Sequence, residues 1–367
     1  MRIVIKIGSN VLTRRTDGML DVTRLSSLTD QVAELHRHGH EIILVSSGAV
    51  ASGRGELRDI PGTEQLDQVS ARQLFSAVGQ AKLINRYYEL FRDHGLHCGQ
   101  VLATKENFAC RRNYLNQQHC ISAMLLHGVI PIVNENDTVS VTELMFTDND
   151  ELSGLIATMM NADCLIILSN IDGLFTGDPQ DSSSRLIEKV GIHDDPSCFV
   201  TEGKSAQGRG GMNSKCRIAR RVAAEGIEVI IANGKRENVL LSLFGIDGAE
   251  CVPHTIFIPS AQTASGIKKW IAHSDAFAKG HLHVNHGAAE ALRNGGNSLL
   301  PIGVTSVEGD FERDDIVKVS APDGSTVGWG RVMTDSNEAS LLAGRSGEKP
   351  LIHADYLYID DYAVFRD

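Results

Sequence analysis

Short apolar runs recur along the first two-thirds of the chain, each closed by glycine or polar residues. Ile3-Val4-Ile5-Lys6-Ile7 ends at Gly8, and Ile42-Ile43-Leu44-Val45 ends at Ser46-Ser47-Gly48. Val129-Ile130-Pro131-Ile132-Val133, Cys164-Leu165-Ile166-Ile167-Leu168 and Ile227-Glu228-Val229-Ile230-Ile231 follow the same design, and His97 to Leu102 reads as a further strand. Runs of this length and β-branched content predict buried strands. Between them, apolar residues fall at spacings of three and four. One helical pattern runs from about Val22 to His36, with Leu25, Leu28, Val32 and Leu35 on one face. Others cover about Asp67 to Phe91, Asn113 to Leu126, a stretch opening at Asp150, and Met212 to Ala224. The alternation predicts an α/β fold with a mainly parallel sheet sandwiched between helices.

From about Pro259 the pattern changes. Short strands punctuated by glycine replace the alternation: Leu282-His283-Val284, Ile316-Val317-Lys318-Val319, Thr326-Val327-Gly328-Trp329-Gly330 and Tyr356-Leu357-Tyr358-Ile359. They predict a small all-β barrel-like module. The expected division is a domain over 1–258, a linker over 259–279 and the β module over 280–367. A length of 367 residues fits two domains. A hydrophobic share of 42% beside 22% charged residues describes an ordinary globular chain, and a net charge of -11 argues against nucleic acid held by bulk electrostatics. The 7 cysteines form no C-x-x-C pair, so free thiols in a reducing cytosol are expected rather than disulfides or zinc. The chain opens directly into a strand with no signal-like segment and no membrane-length apolar run, which points to the cytoplasm.

The candidate chemistry gathers at strand ends. Asn134-Glu135-Asn136-Asp137 follows a buried strand, and Thr147-Asp148-Asn149-Asp150 opens a helix. Each burst alone reads as a turn or an Asp N-cap. Together they suggest a site for a polar amino acid, a metal, or both, because parallel sheets present ligands at such ends. Lys6 stands at the end of the first strand, and the amides of Gly8 and Ser9 beside it offer a phosphate cradle. Ser46-Ser47-Gly48-Ala49 repeats that pattern. In Gly208-Arg209-Gly210-Gly211-Met212-Asn213-Ser214-Lys215 a glycine-rich loop leads into a helix carrying Lys215 on its first turn, a place where anions bind. The order of a Walker A loop is absent, so the P-loop reading is excluded.

Lys6-x-Gly8-Ser9, Ser46-Ser47-Gly48-Ala49, Asn134-Glu135-Asn136-Asp137, Asp148-Asn149-Asp150-x-Leu152-Ser153, Asp172-Gly173-Leu174-Phe175-Thr176-x-Asp178-Pro179 and Gly210-Gly211-Met212-x-x-Lys215 occur in the order seen in the amino-acid kinase superfamily, which this chain resembles. Gly287-Ala288, Ser298-Leu299-Leu300-Pro301 and Gly309-Asp310-Phe311 are similar to the PUA module carried by one branch of it. The resemblance implies an ATP-dependent phosphotransferase with a carboxyl acceptor. Its product would be L-glutamyl 5-phosphate, made on the γ-carboxylate of L-glutamate in the first step of proline biosynthesis. It implies Lys6, Lys215 and Asp150 as catalytic residues, with Asp150 orienting the lysines. Ser47, Asp137 and Asn149 would hold glutamate, with Asp137 on its α-ammonium. ATP would meet Lys6, Gly8, Ser169, Asn170, Asp178, Arg209, Gly210, Gly211, Met212, Asn213, Ser214 and Lys215, with Mg²⁺ arriving on its phosphates and no protein metal ligand. A homo-oligomer, feedback inhibition by L-proline and hand-over of the labile acyl phosphate to a following reductase are implied as well.

Two positions depart from the pattern: Ser169-Asn170 stands where Thr-Asp is common, and Arg209 where Thr is. An aspartate, acetylglutamate or carbamate kinase of the superfamily would keep the lysines but lack the Asn134–Asp137 box and this tail. From another class, the tail suggests an RNA-binding protein. Against that, Glu308, Asp310, Glu312, Asp314, Asp315, Asp360 and Asp361 give it an acid excess, the reverse of an RNA-binding surface.

Overall fold

The apolar runs become neighbouring strands because their side chains are sealed on both faces. In the computed structural model, which describes residues 1–14, 16–109, 111–139, 146, 149–179, 181, 183–192, 194, 211–261, 271 and 278–359, the strands of the first two-thirds are β1 (Arg2–Ile7), β2 (Glu41–Ser46), β3 (His97–Ala103), β4 (Val129–Glu135), β5 (Cys164–Ser169), β6 (Leu174–Phe175), β7 (Leu186–Ile187), β8 (Lys189–Val190), β9 (Glu228–Asn233) and β10 (His254–Phe257). Eight of them form one sheet in the order β3-β4-β2-β1-β5-β9-β10-β8. From β3 across to β9 every pairing is parallel; β10 then runs antiparallel to β9, with β8 parallel to β10. Chain order reverses about β1, with β2 and β4 built on one side and β5 and β9 on the other. A parallel sheet opens a ligand crevice at the carboxyl ends of such strands.

The helices are α1 (Ser9–Leu12), α2 (Val22–Arg37), α3 (Ala49–Glu56), α4 (Gln68–Asp93), α5 (Lys105–Ala109), α6 (Arg111–Leu126), α7 (Asn149–Met159), α8 (Met212–Ala224) and α9 (Val239–Leu243). Two long ones start where an aspartate caps them. Asp21 accepts the Arg24 amide ahead of α2, and Asp67 accepts those of Val69 and Ser70 ahead of α4. Strand alternation divides the core. Ile3, Ile5 and Ile7 share a cluster with Leu25, Leu28 and Val32 of α2 and Leu83, Tyr87 and Phe91 of α4. Val4 and Lys6 take the opposite face, where α7 crosses β1, β2, β4 and β5 and packs against α8.

Helix α3 was not visible as a period in the sequence, because Ala, Ser and Gly fill most of its segment. That composition is its function in the packing. A Cβ on Gly53 would fall 1.8 Å from the Phe75 carbonyl oxygen, and one on Gly79 would fall 1.8 Å from that of Ala49. Helices α3 and α4 therefore meet backbone to backbone, and only glycine admits so close a crossing.

The described chain sorts into two compact units, Met1–Thr104 with Asn116–Thr263, and Lys105–Leu115 with Ala264–Asp367. The second holds a five-stranded sheet of β11 (Gly280–Val284), β12 (Val304–Gly309), β13 (Ile316–Ser320), β14 (Thr326–Arg331) and β15 (Leu357–Ile359), ordered β12-β11-β13-β14-β15. Leu282, Val284, Val317, Val319 and Val327 form its core with Ala289, Leu292 and Ala339. The last three belong to two short helices, His286–Arg293 and Ser336–Leu342, that the all-strand reading did not anticipate. Asn285 and Asp335 cap them, but helices of 8 and 7 residues are too short to show a clear period. Among the described residues no helix is long and apolar enough to cross a membrane.

Candidate active site

Lys6 is carried to the carboxyl end of β1 on the face covered by α7, and Asp150 lies in the first turn of that helix. The Lys6 Nζ is 2.5 Å from Asp150 Oδ1, and Lys215 Nζ donates to Asp150 Oδ2 at 2.9 Å. Asp150 has 0% exposure, Lys6 5% and Lys215 8%. A carboxylate so deep would ordinarily be neutral. Burial does push its pKa up, but the Lys6 and then the Lys215 ammonium outweigh that, and Asp150 is held below the usual carboxylate range. The result is a buried +/−/+ cluster with net positive charge at the carboxyl end of β1, suited to bridging anions.

Lys215 is delivered by α8, whose N-cap Gly211 supplies no side-chain cap. Ser214 Oγ donates to the Gly211 carbonyl at 3.0 Å, and Met212 and Asn213 complete the first turn. Arg209 and Gly210 lie outside the described residues, as do Thr147 and Asp148 of the second polar burst. The Gly8 amide is engaged by β5, donating to the Leu168 carbonyl at 3.3 Å, rather than exposed as a phosphate cradle. What Gly8 provides is space: a Cβ there would lie 3.2 Å from the Leu168 oxygen and 3.3 Å from Lys6 Nζ.

Next to Asp150 in the chain, Asn149 opens a second group of polar side chains. Asn149 Nδ2 donates to Ser47 Oγ at 2.9 Å and to Asn134 Oδ1 at 3.2 Å, and Asn134 Nδ2 donates to Gln80 Oε1 at 2.8 Å. One turn earlier on α4, Ser76 Oγ donates to Asp137 Oδ2 at 3.1 Å. Arg72, a further turn back, pairs with Asp137 and donates to Glu135 Oε2 at 2.8 Å. Glu135 Oε1 accepts the Phe146 amide at 2.9 Å. Burial, then the Asp137 carboxylate, drives the Glu135 pKa up to about 7 against the pull of that amide and of Arg72. Ser47 and Asn149, chosen from sequence, thus stand in one hydrogen-bonded group with Asn134 and Gln80, and Asp137 in a second with Ser76, Arg72 and Glu135; the Glu135 amide, donating to Asn134 Oδ1 at 2.9 Å, joins the two.

Arg72, Ser76 and Gln80 were missed by sequence reasoning. Their spacing of four on α4 was the available signal: a polar stripe on one face of a long helix. Ser169 ends β5, nearly buried, and its carbonyl accepts the Gly234 amide at 2.8 Å, with Asn170 next in the chain. Close by in sequence, Asp172 is gripped by Arg236 through both prongs at 2.6 and 2.7 Å and by Asn233 Nδ2 at 3.1 Å. The Arg236 hydrogen bonds hold its carboxyl below the usual range. This fixed corner between β5 and β9 was also not foreseen. Asp178 sits in the turn after β6, its carbonyl accepting the Asp181 amide at 2.9 Å.

Comparison with known proteins follows the same division. Residues 1–233 match the amino acid kinase family and residues 280–352 match the PUA domain. A protein of Bacteroides thetaiotaomicron named glutamate 5-kinase is 58% identical over 361 residues, spanning 98% of this chain and 98% of its own. Proteins of the same name from Chlorobaculum tepidum and Myxococcus xanthus are 45% identical over 98% of this chain and 97% of theirs, and 39% identical over 100% and 95%.

Proposed function

Because this chain belongs to the amino acid kinase family, we infer that it transfers the γ-phosphoryl group of ATP to the γ-carboxylate of L-glutamate, giving L-glutamyl 5-phosphate, the first step of proline biosynthesis. One observation carries the chemistry: a fully buried Asp150 clamped between Lys6 and Lys215 at strand ends. The acceptor carboxylate, with an ordinary pKa of about 4.3, is already ionised at neutral pH, so the reaction needs no general base. Its barrier lies in bringing two anions together and in charge on the transferring phosphoryl group, which cations and dipoles stabilise. Lys6 and Lys215 supply that charge, and Asp150 holds both ammoniums in place without moving a proton.

ATP enters as its Mg²⁺ complex. Both Asp150 oxygens already face lysine ammoniums, which leaves the ion to the phosphates and water, its usual ligands in nucleotide sites. Gly8, Ser169, Asn170 and Asp178 contribute to the nucleotide side together with the segment from Arg209 to Lys215. On the acceptor side Asp137 takes the α-ammonium, and Ser47 and Asn149 position the rest of glutamate. The catalytic domain extends over 1–258, joined by 259–279 to the PUA domain over 280–367. The enzyme works in the cytoplasm as a homo-oligomer, is inhibited by L-proline, and hands its labile acyl phosphate to a reductase.

The test is a screen of purified protein with ATP, Mg²⁺ and candidate acids, trapping acyl phosphate with hydroxylamine. L-Glutamate should give hydroxamate, and aspartate and N-acetylglutamate little. Equal turnover of N-acetylglutamate would sink the assignment, since an Asp137 that binds an ammonium rejects a blocked amine.

A further inference from the structure

His281 and His283 are alternate residues of β11, so both rings stand on one face of the second unit's sheet, opposite Leu282 and Val284 in its core. Register adds the neighbours. His281 pairs with Glu308 on β12 and with Lys318 on β13, and His283 pairs with Ser320 on β13. The two imidazole rings are 4.3 Å apart between centroids, and one ligand-capable atom each from His281, His283 and Glu308 lies within 4.8 Å of the others. The strand bulges between His283 and Val284, a distortion that commonly re-aims a side chain beside a site.

The His283 Nε2 is shielded from solvent and makes no hydrogen bond, yet Glu308 Oε1 lies 3.2 Å from it. For bonds of 2.0–2.2 Å in a tetrahedral zinc site, neighbouring donor atoms stand about 3.3–3.5 Å apart. The His283–Glu308 pair, at 3.2 Å, is already close to that separation. The remaining donor needs side-chain adjustment of the order of 1 Å. His281 is oriented by a contact of 2.5 Å between its Nε2 and Ser320 Oγ, the kind of outer hydrogen bond that fixes a ligating ring. Burial, then His283 and Lys318, hold its pKa below the ordinary histidine value, which favours the neutral ring that a metal requires.

We propose that His281, His283 and Glu308 form a binding site for a first-row divalent cation, zinc in particular, in the second unit of this protein. Two imidazoles and one carboxylate are the donor set of an open zinc site, with a fourth position left for water or an external ligand. Lys318 on the same face opposes the cation and lowers its affinity. The ion ties β11 to β12 across the sheet; it is separate from the Mg²⁺ that accompanies ATP.

The test uses the full chain, stripped with EDTA and free of nucleotide, titrated with Zn²⁺ by calorimetry and with Co²⁺ by visible absorption. Zinc bound at exposed cysteines is common to all variants, so the readout is the difference between them. Wild type should bind one more equivalent than His283→Gln or Glu308→Gln, or bind it at least about tenfold more tightly, since even outer-shell losses cost that much. The cobalt difference spectrum should show tetrahedral ligand-field bands without thiolate charge transfer, and Lys318→Gln should bind more tightly than wild type. Hydroxamate formation from glutamate serves as the folding control. Zinc stoichiometry and affinity equal in wild type and both variants would overturn the proposal, as would a difference spectrum dominated by thiolate bands.

Discussion

Asp150→Asn is the most searching perturbation of the lysine cluster, because it changes charge and almost nothing else. The side chain is fully buried, with oxygens 2.5 Å from Lys6 Nζ and 2.9 Å from Lys215 Nζ. Asparagine fills the same volume, so no cavity is left, but two ammoniums now share a buried amide. Removing one partner of a buried ion pair costs about 3–5 kcal/mol. At about 2–4 °C per kcal/mol for a domain of about 150–250 residues, the size class of the unit that holds Asp150, its Tm should fall by roughly 6–20 °C. The sign in pH is fixed by the lowered pKa. The carboxylate's contribution is fully present above its ordinary 3.8 and is lost as pH falls through the folded value, so wild type and variant differ most near neutrality. On the proposed assignment ATP brings phosphates to the same lysines. MgATP should therefore raise the Tm of Asp150→Asn by more than it raises that of wild type. In steady-state hydroxamate assays kcat should drop about 10²–10³-fold through misplaced lysines, with KM for glutamate little changed. Scanning fluorimetry with and without MgATP checks the first half. A variant with wild-type Tm and kcat would show that Asp150 is only a helix N-terminal acid and would refute the cluster as the seat of transfer.

Lys6→Met and Lys215→Met should each lower kcat about 10²–10³-fold, as loss of one electrostatic stabiliser does; a folded variant at full kcat would reduce that lysine to a solvated strand or helix end. Asp137→Asn keeps the Ser76 hydrogen bond but removes a charge, and should raise KM for glutamate about 10–150-fold while KM for ATP holds; equal changes in both would mean a general disturbance instead. Glu135, with its pKa raised to about 7, stabilises the fold below its ordinary 4.5 and loses that contribution as pH rises through 7. Glu135→Gln should flatten urea-melt stability across that window, and also flatten a fall in KM for glutamate between pH 6 and 8 expected of wild type; identical profiles would rule out a titrating Glu135. Gly79→Ala sets a methyl 1.8 Å from the Ala49 oxygen and should cost about 1–3 kcal/mol or more while raising KM for glutamate; an unchanged melt would show that α3 and α4 separate freely.

Much of this arrangement was legible because two periodicities do not overlap. The strands β1, β2, β4, β5 and β9 were readable as apolar runs, since a strand covered on both faces has no polar alternation to hide it. Lys6 stood out as a charge inside such a run, and Lys215 as a cation on a helix opened by glycines. What could not be read was long-range pairing. Nothing local says that Arg72, Ser76 and Gln80 of α4 meet Glu135, Asp137 and Asn134, which are 63, 61 and 54 residues further on. Their spacing of four suggests one face of a helix but not its partner. Strand β10 and helix α3 were passed over for a related reason. A four-residue strand and a helix rich in small residues carry too few large apolar side chains to show a period, although the second is what lets α4 approach.

The network has a polarity that the chemistry can use. At one end Lys6, Asp150 and Lys215 sum to a single positive charge. At the other, Arg72, Asp137 and Glu135 sum to a negative charge when Glu135 is ionised and to none when it is protonated. Between them Asn149, Ser47, Asn134 and Gln80 are neutral and joined by hydrogen bonds. On the proposed assignment, a zwitterionic substrate laid along this line has one favourable direction, ammonium toward Asp137 and γ-carboxylate toward the lysines. Asp137 follows the end of β4, and Asp150 lies in the first turn of α7. Arg72 then has a second consequence. It already engages Asp137, so an incoming ammonium competes with it unless Glu135 is ionised and draws the guanidinium away. On that assignment glutamate binding is coupled to loss of the Glu135 proton, even though the proposed phosphoryl transfer itself moves none.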